Sequence, residues 1–239
     1  MTQSELTRNR LLDALPSSER QELLGAAKRV RLPLGKVLHQ PGAQQTHVWF
    51  PTEGVISLLY ELADGDTAEV GIIGRDGMLG LAVLFGQGHS PHHAVVQAAG
   101  SALQMEAQAL RVLFEDSEDM RQIMFRYSHA LSIQIGQTAV CNRHHRVEQQ
   151  FCRWILMSVD RLTGDQVAMT QELIANMLGV RRAGVTEVAG RLRDEGIISY
   201  QRGRIQVLDR ARLEERCCEC YQVVQAEYER LLPARTGSG

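Results

Sequence analysis

Residues 171–192, QELIANMLGVRRAGVTEVAGRL, restrict the fold more than any other stretch of this chain. Two helices that cross at a steep angle need a small residue at the crossing, a glycine able to take positive φ in the turn, and apolar side chains facing inward. Ala175 supplies the first and Gly179, four residues later, the second. Ile174, Leu178, Val180, Val185 and Val188 supply the third. This pattern predicts a helix-turn-helix whose second helix leaves Arg181, Arg182, Ala183, Thr186, Glu187, Gly190 and Arg191 facing outward. Arginines at the N-terminal end of a helix suit the major groove of DNA, where a guanidinium donates two hydrogen bonds to guanine and the helix end faces phosphate. Residues 197–208, IISYQRGRIQVL, then predict a hairpin wing with Arg202 and Arg204 at its tip, within reach of backbone phosphate. The alternative is a helical hairpin with solvated arginines, because an Ala-x-x-x-Gly spacing alone is common.

The rest of the chain changes period twice. Helical patterns at residues 4–14 and 17–28 give way between Val30 and Glu106 to about seven β-branched or alternating runs, VRL, KVLH, HVWF, GVISLLYEL, TAEVGII, AVVQAA and SALQME. Turn signals such as Pro41-Gly42 and Asp64-Gly65 separate them, so the region is expected to be an antiparallel sandwich or roll. From Ala107 to Arg143 the pattern is helical again, with a break near Asp116-Ser117. Met120, Ile123, Met124, Tyr127, Leu131, Ile135 and Thr138 fall three or four apart along it. That stripe is expected to form a seam between two copies of the chain, because so long a helix has more apolar length than a small roll covers; packing on the chain's own roll is the alternative. A basic break at Arg143-His144-His145-Arg146 precedes another helix, 146–162. The expected fold class is α+β: a roll over residues 1–116, a dimerisation helix and hinge over 117–145, and a winged helix-turn-helix over 146–239.

Composition sets the frame for these motifs. With 239 residues, 44% of them hydrophobic, the chain can build real cores, and no apolar run approaches the roughly 20 residues that span a bilayer. The first residues lack the pattern of a secretory signal, so the chain is expected in the cytoplasm. Residues 1–140 carry 11 basic and 15 acidic side chains and the remainder 15 and 13, so the second half permits nucleic-acid binding without requiring it. No Gly-rich phosphate loop, Gly-x-Ser-x-Gly elbow or His-Glu-x-x-His helix is present, and an enzyme is not expected.

The roll's GVISLLYELADGDTAEVGIIGRDGMLG, the RVEQQFCRWIL after the seam, and TQELIANMLGVRRAGVTEVAGRLRDEGIISY together resemble the Crp/Fnr family of bacterial transcription regulators over nearly the whole chain. That resemblance implies a cyclic-nucleotide-binding-like roll and a homodimer whose recognition helices read a two-fold symmetric double-stranded DNA site, with RNA polymerase as a further partner. It places Arg182 at the guanine-reading position. Ala183 stands where the best-known members carry a glutamate and Glu187 where they carry an arginine, so their operator does not transfer.

The resemblance also implies where an effector would sit. Cyclic-nucleotide binders of the family carry a Gly-Glu-Leu turn for the ribose and an Arg-Ser-Ala or Arg-Thr-Ala for the phosphate. The positions read against these are Gly80-Leu81-Ala82 and His92-His93-Ala94, which lack both the carboxylate and the arginine, so cAMP is not expected. Gly80, Leu81, His92 and His93 remain the candidate effector pocket, for another small ligand or none. Haem or metal sensing through His89, His92 and His93 is a second option, set against the opposite directions of neighbouring strand residues. An iron-sulfur cluster is excluded by the absence of cysteine from residues 1–140. Cys217, Cys218 and Cys220 offer a thiol switch or a zinc site, but no second pair lies at finger-like spacing. On one continuous helix Cys217 and Cys220 would share the apolar face of Leu213, Val224, Tyr228 and Leu231, leaving Cys218 pointing elsewhere as the reactive thiol. No metal site and no cofactor are therefore expected. A sensor whose C-terminal half is only a dimer scaffold stands as the alternative function.

Overall fold

A computed structural model describes residues 8–86 and 88–232. Residues 4–7 of the first expected helix lie outside it. The described part of that helix is the short α1, Arg10–Asp13, capped by Asn9, and α2 runs Ser17–Ala26 after Pro16. The seven expected runs become five strands: β1 Lys28–Leu32, β2 Val37–His39, β3 His47–Glu61, β4 Thr67–Ile73 and β5 His93–Glu106. Two pairs of runs merge because the turn-like residues between them are bulges rather than turns. Gly54, at φ +92°, sits where a Cβ would meet the Ala98 carbonyl at 2.7 Å, and Gly100 lies against the Glu53 backbone. The β3–β5 register slips around both, which lets two long strands bend through the roll. All pairings are antiparallel, in the order β1-β5-β3-β4, with β2 also on β5.

Two helices follow without a strand between them: α3, Ala107–Asp116, and the 27-residue α4, Glu118–His144, whose N-cap Ser117 accepts from the Met120 amide. Residues Val147–Val159 form α5. Next come β6 Gln166–Ala168, α6 Gln171–Leu178, α7 Arg182–Asp194, β7 Ile198–Gln201, β8 Arg204–Val207, α8 Arg210–Glu215 and α9 Glu219–Leu231. Among the described residues no helix is long and apolar enough to cross a membrane.

The α4 stripe corrects the expected seam. Met120, Ile123, Met124, Tyr127, Leu131 and Thr138 are all buried inside one copy of the chain, and Ile135 is 37% exposed. The roll and the returning α9 cover them. The Tyr127 hydroxyl donates to the Met78 carbonyl at 2.9 Å, and the Gln134 amide accepts from the Ile72 N–H while donating to Tyr228 of α9. The stripe is thus core, as packing on the chain's own roll requires. The face left open lies more than a third of a turn round the helix: Phe125, His129, Ser132, Gly136, Ala139 and Arg143, at alternating steps of four and three residues.

The two halves pack on each other through α5 and α9. Arg161 is 4% exposed, bridges Asp76 at 2.5 Å, donates to the Met157 carbonyl and lies 5.7 Å over the Tyr228 ring. Beside it, Glu69, Ser57, Gln97 and Ser158 form a buried chain of hydrogen bonds from β4 to α5. Burial lifts the Glu69 carboxyl to about 7. A protonated Glu69 donates to Ser57 Oγ, which frees the single serine proton for the Gln97 carbonyl oxygen, so the neutral acid completes the chain.

Candidate nucleic-acid interface

Gly179 closes α6 at φ +64°, with its own N–H donating to the Asn176 carbonyl and that of Val180 to Ala175 at 3.0 Å. This αL cap turns the chain sharply into α7, and a β-carbon there would be strained by the backbone even though no neighbour touches it. Ile174, Ala175, Leu178, Val185, Val188, Ala189 and Leu192 are buried between the helices.

The expected outward residues are exposed except Gly190, which is half-buried. Arg181 is the N-cap of α7 and Arg182 its first residue, and both are exposed along with Ala183, Thr186, Glu187 and Arg191. No acidic residue stands in the first turn, so the helix dipole and two guanidinium groups add positive charge at one end. The Arg182 guanidinium pairs with the exposed Glu172, at 3.5 Å. The Thr186 hydroxyl donates to Gln171, tying α7 to the start of α6. Arg191 differs from the others. It is bound to Glu148 of α5 at 2.9 Å and to Glu187 at 3.5 Å, and Glu148 also receives Arg216. In the free protein Arg191 is thus a strut between α7 and α5, although its side chain stays 52% exposed.

The wing is a three-stranded sheet ordered β6-β8-β7. Its hairpin turns on two residues, Arg202 and Gly203, at φ +50° and +72°. These are the positive φ values of the tight turn that matches strand twist. Val167, Ile198, Ile205 and Val207 face the core, while Gln166, Gln201, Arg204 and Gln206 share the exposed face with Arg202 at its tip. Arg181 and Arg182 of the recognition helix and Arg202 and Arg204 of the wing are thus all exposed.

The candidate effector pocket is not assembled. Gly80 packs on Val48 at the start of β3, whereas His93 pairs with Leu59 near its end. His92 sits against Ser90, 2.6 Å from its hydroxyl, near the rings of His39 and Tyr60. Burial, helped by His39 and His93, lowers its pKa to about 4, so it is neutral at pH 7 and a poor anion partner. His93 turns the other way and pairs with Glu61 at 2.9 Å. A cavity of about 280 Å³ between the halves is lined by Arg75, Asp76, Asp160, Arg161, Gln225 and Tyr228. Arg8 and Arg10 line it too, while Arg75 is engaged by the Asp160 carbonyl and Arg161 by Asp76.

The cysteines are arranged differently from a single wheel drawn through residues 213–231. The helix breaks at residues 216–218, so Cys218 becomes the N-cap of α9. Cys218 and Cys220 are buried, and Cys217 is the partly exposed one. Cys141 and His145, from the end of α4, complete a cluster of four that sequence spacing does not bring together.

Two domain families match the chain: the cyclic nucleotide-binding domain over residues 29–117 and the Crp-like helix-turn-helix domain over residues 149–216. No curated protein sequence matches it. Similar solved structures include FixK2 of Bradyrhizobium japonicum, with a TM-score of 0.66 at 14% identity, covering 80% of this chain and 98% of that one. A CRP-family transcriptional regulator of Thermus thermophilus gives 0.64 at 19% identity, covering 78% and 95%. A second regulator of that organism, of the CRP/FNR family, gives 0.63 at 18% identity, covering 79% and 97%. At such identities the likeness is one of fold.

Proposed function

The chain belongs to the Crp/Fnr family of transcription regulators, and on that footing we propose that it works as a homodimeric, sequence-specific DNA-binding regulator that does not respond to cAMP. The observation that carries the reading is the exposure of Arg181 and Arg182 at the N-terminus of α7 and of Arg202 and Arg204 in the wing. These are exposed charges that the protein leaves largely unsatisfied. Arg182 reads a base edge and the wing arginines hold phosphate. Glu187, beside them, rejects some base steps as well as favouring cytosine.

Dimerisation supplies the two-fold site. The open α4 face of Phe125, His129, Ser132, Gly136, Ala139 and Arg143 has the spacing of a two-helix seam, and Ser132, Gly136 and Ala139 let a second backbone come close. This replaces the buried stripe as the expected interface. The chain turns at His145-Arg146, between α4 and α5, where a change in helix pairing would swing the recognition helix. Leu81 and the neutral His92, read where cyclic-nucleotide binders of the family carry a carboxylate and an arginine, support the absence of a cAMP response.

Selection of bound sequences from random DNA tests this directly. A two-fold symmetric site is expected, bound with an affinity that falls steeply with salt. Recovery of no site, or unchanged DNA affinity after Arg182→Ala and Arg202→Ala, would leave the chain as a sensor with a C-terminal scaffold.

A further inference from the structure

Four metal-binding side chains converge where the end of α4 meets the start of α9. Cys141 lies in the last turn of α4 and His145 is that helix's C-cap, its N–H donating to the Cys141 carbonyl at 3.0 Å. Cys218 caps α9, and Cys220 lies within its first turn. The four potential donor atoms all lie within 4.8 Å of one another. Three of the residues are buried and His145 is half-buried.

Two of the distances between them match one coordination sphere. A tetrahedral ion with metal–sulfur bonds of about 2.3 Å and a metal–nitrogen bond of about 2.05 Å sets neighbouring sulfurs about 3.8 Å apart and a sulfur about 3.6 Å from the nitrogen. Here Cys141 Sγ and Cys218 Sγ are 3.6 Å apart, and Cys220 Sγ is 3.5 Å from His145 Nδ1. The outer contacts point the same way. His145 turns Nδ1 toward the sulfurs while its Nε2 lies 3.3 Å from the Glu219 carboxylate, the arrangement that fixes the tautomer of a ligating histidine. Gln137 donates to Cys220 Sγ, and Gln150 donates to the His145 carbonyl at 2.9 Å, holding the helix end in place. Three thiolates and an imidazole in a tetrahedron select a borderline-soft divalent ion over magnesium or calcium. A site for several irons would need its sulfurs spread around a cluster rather than drawn to one point.

We propose that Cys141, His145, Cys218 and Cys220 bind a single zinc-type divalent cation that fastens the C-terminal end of α4 to the start of α9. Glu219 orients His145 and does not touch the metal. Because α4 ends at the break before α5, the cation stiffens the joint between the roll with its long helix and the helix-turn-helix module.

The full chain, purified under reducing conditions without chelator, is assayed for metal, then stripped and titrated with cobalt(II). About one equivalent of bound metal is expected, with the visible absorption of a tetrahedral cobalt ion and thiolate charge-transfer bands, both displaced by zinc. Cys141→Ser removes about one third of the charge-transfer intensity. Glu219→Gln keeps the spectrum but weakens zinc binding by about 10- to 100-fold in competition with a chromophoric chelator. Metal slows amide exchange around residues 141–146 and 217–221 in wild type. A stripped wild-type chain that keeps its far-ultraviolet dichroism yet shows no tetrahedral cobalt spectrum overturns the proposal. So does a spectrum unchanged by joint Cys141→Ser and Cys220→Ser substitution. A chain isolated without metal and with a Cys141–Cys218 disulfide overturns it in favour of a thiol switch.

Discussion

Arginine is used in opposite ways at the seam between the halves and on the recognition surface. Arg161 is 4% exposed and meets a carboxylate, a backbone carbonyl and an aromatic ring. Arg182 has a side chain 66% exposed, with one long contact to an equally exposed glutamate. The residue type and its charge are the same in both places, so neither says what an arginine is for. The number of acceptors the protein itself provides does. A saturated guanidinium holds structure together, whereas an unsatisfied one at a helix N-terminus is available to an anion from outside.

The sharpest break of that comparison is Arg161→Met. Removing one partner of a buried ion pair strands Asp76, so urea denaturation should show a loss of about 3–5 kcal/mol, partly recovered by adding Asp76→Asn. Next is the neighbouring Glu69. The folded protein keeps this proton up to about pH 7, whereas the unfolded chain releases it near 4.5. The native state therefore binds more protons between those values, and stability falls as pH rises through them. Glu69→Gln, which stays neutral, should be more stable than wild type by about 3 kcal/mol at pH 8, with the difference gone below about pH 4.5 in parallel melts. On the other side of the comparison, Arg182→Ala should weaken DNA binding by about 10- to 100-fold in fluorescence titrations while moving folding stability by less than about 0.5 kcal/mol. Smallest is Arg204→Ala. It should make the dependence of log affinity on log salt shallower by about one for each phosphate the arginine held, with little change in site preference.

What residues alone reveal is whatever is decided within a few positions. The turn at Gly179 and the hairpin at Arg202-Gly203 are fixed by local backbone requirements, and both stand where the sequence puts them. Periodicity also shows that one face of α4 is apolar, but not what covers it. The cover comes from α9, more than 90 residues later, through contacts such as Gln134 with Tyr228. An apolar stripe therefore marks the face that the chain itself covers. The same distance hides the cysteine cluster, since Cys141 is 77 residues from Cys218 and a wheel drawn through the break at residues 216–218 sets Cys218 on the wrong side. The paired ends of the effector motif fail for a related reason: β3 carries Gly80 and His93 to opposite ends of one long strand.

The position of α9 bears on how the protein is made. The roll's last strand ends at Glu106, so its sheet can close while the ribosome is still adding the helices that follow. The groove along α4 has to wait for Tyr221, Val224, Tyr228 and Leu231, which emerge after the wing. Until then the apolar stripe from Met120 to Thr138 is partly uncovered in the nascent chain. Premature termination after the wing would leave an intact helix-turn-helix attached to a body that cannot finish folding.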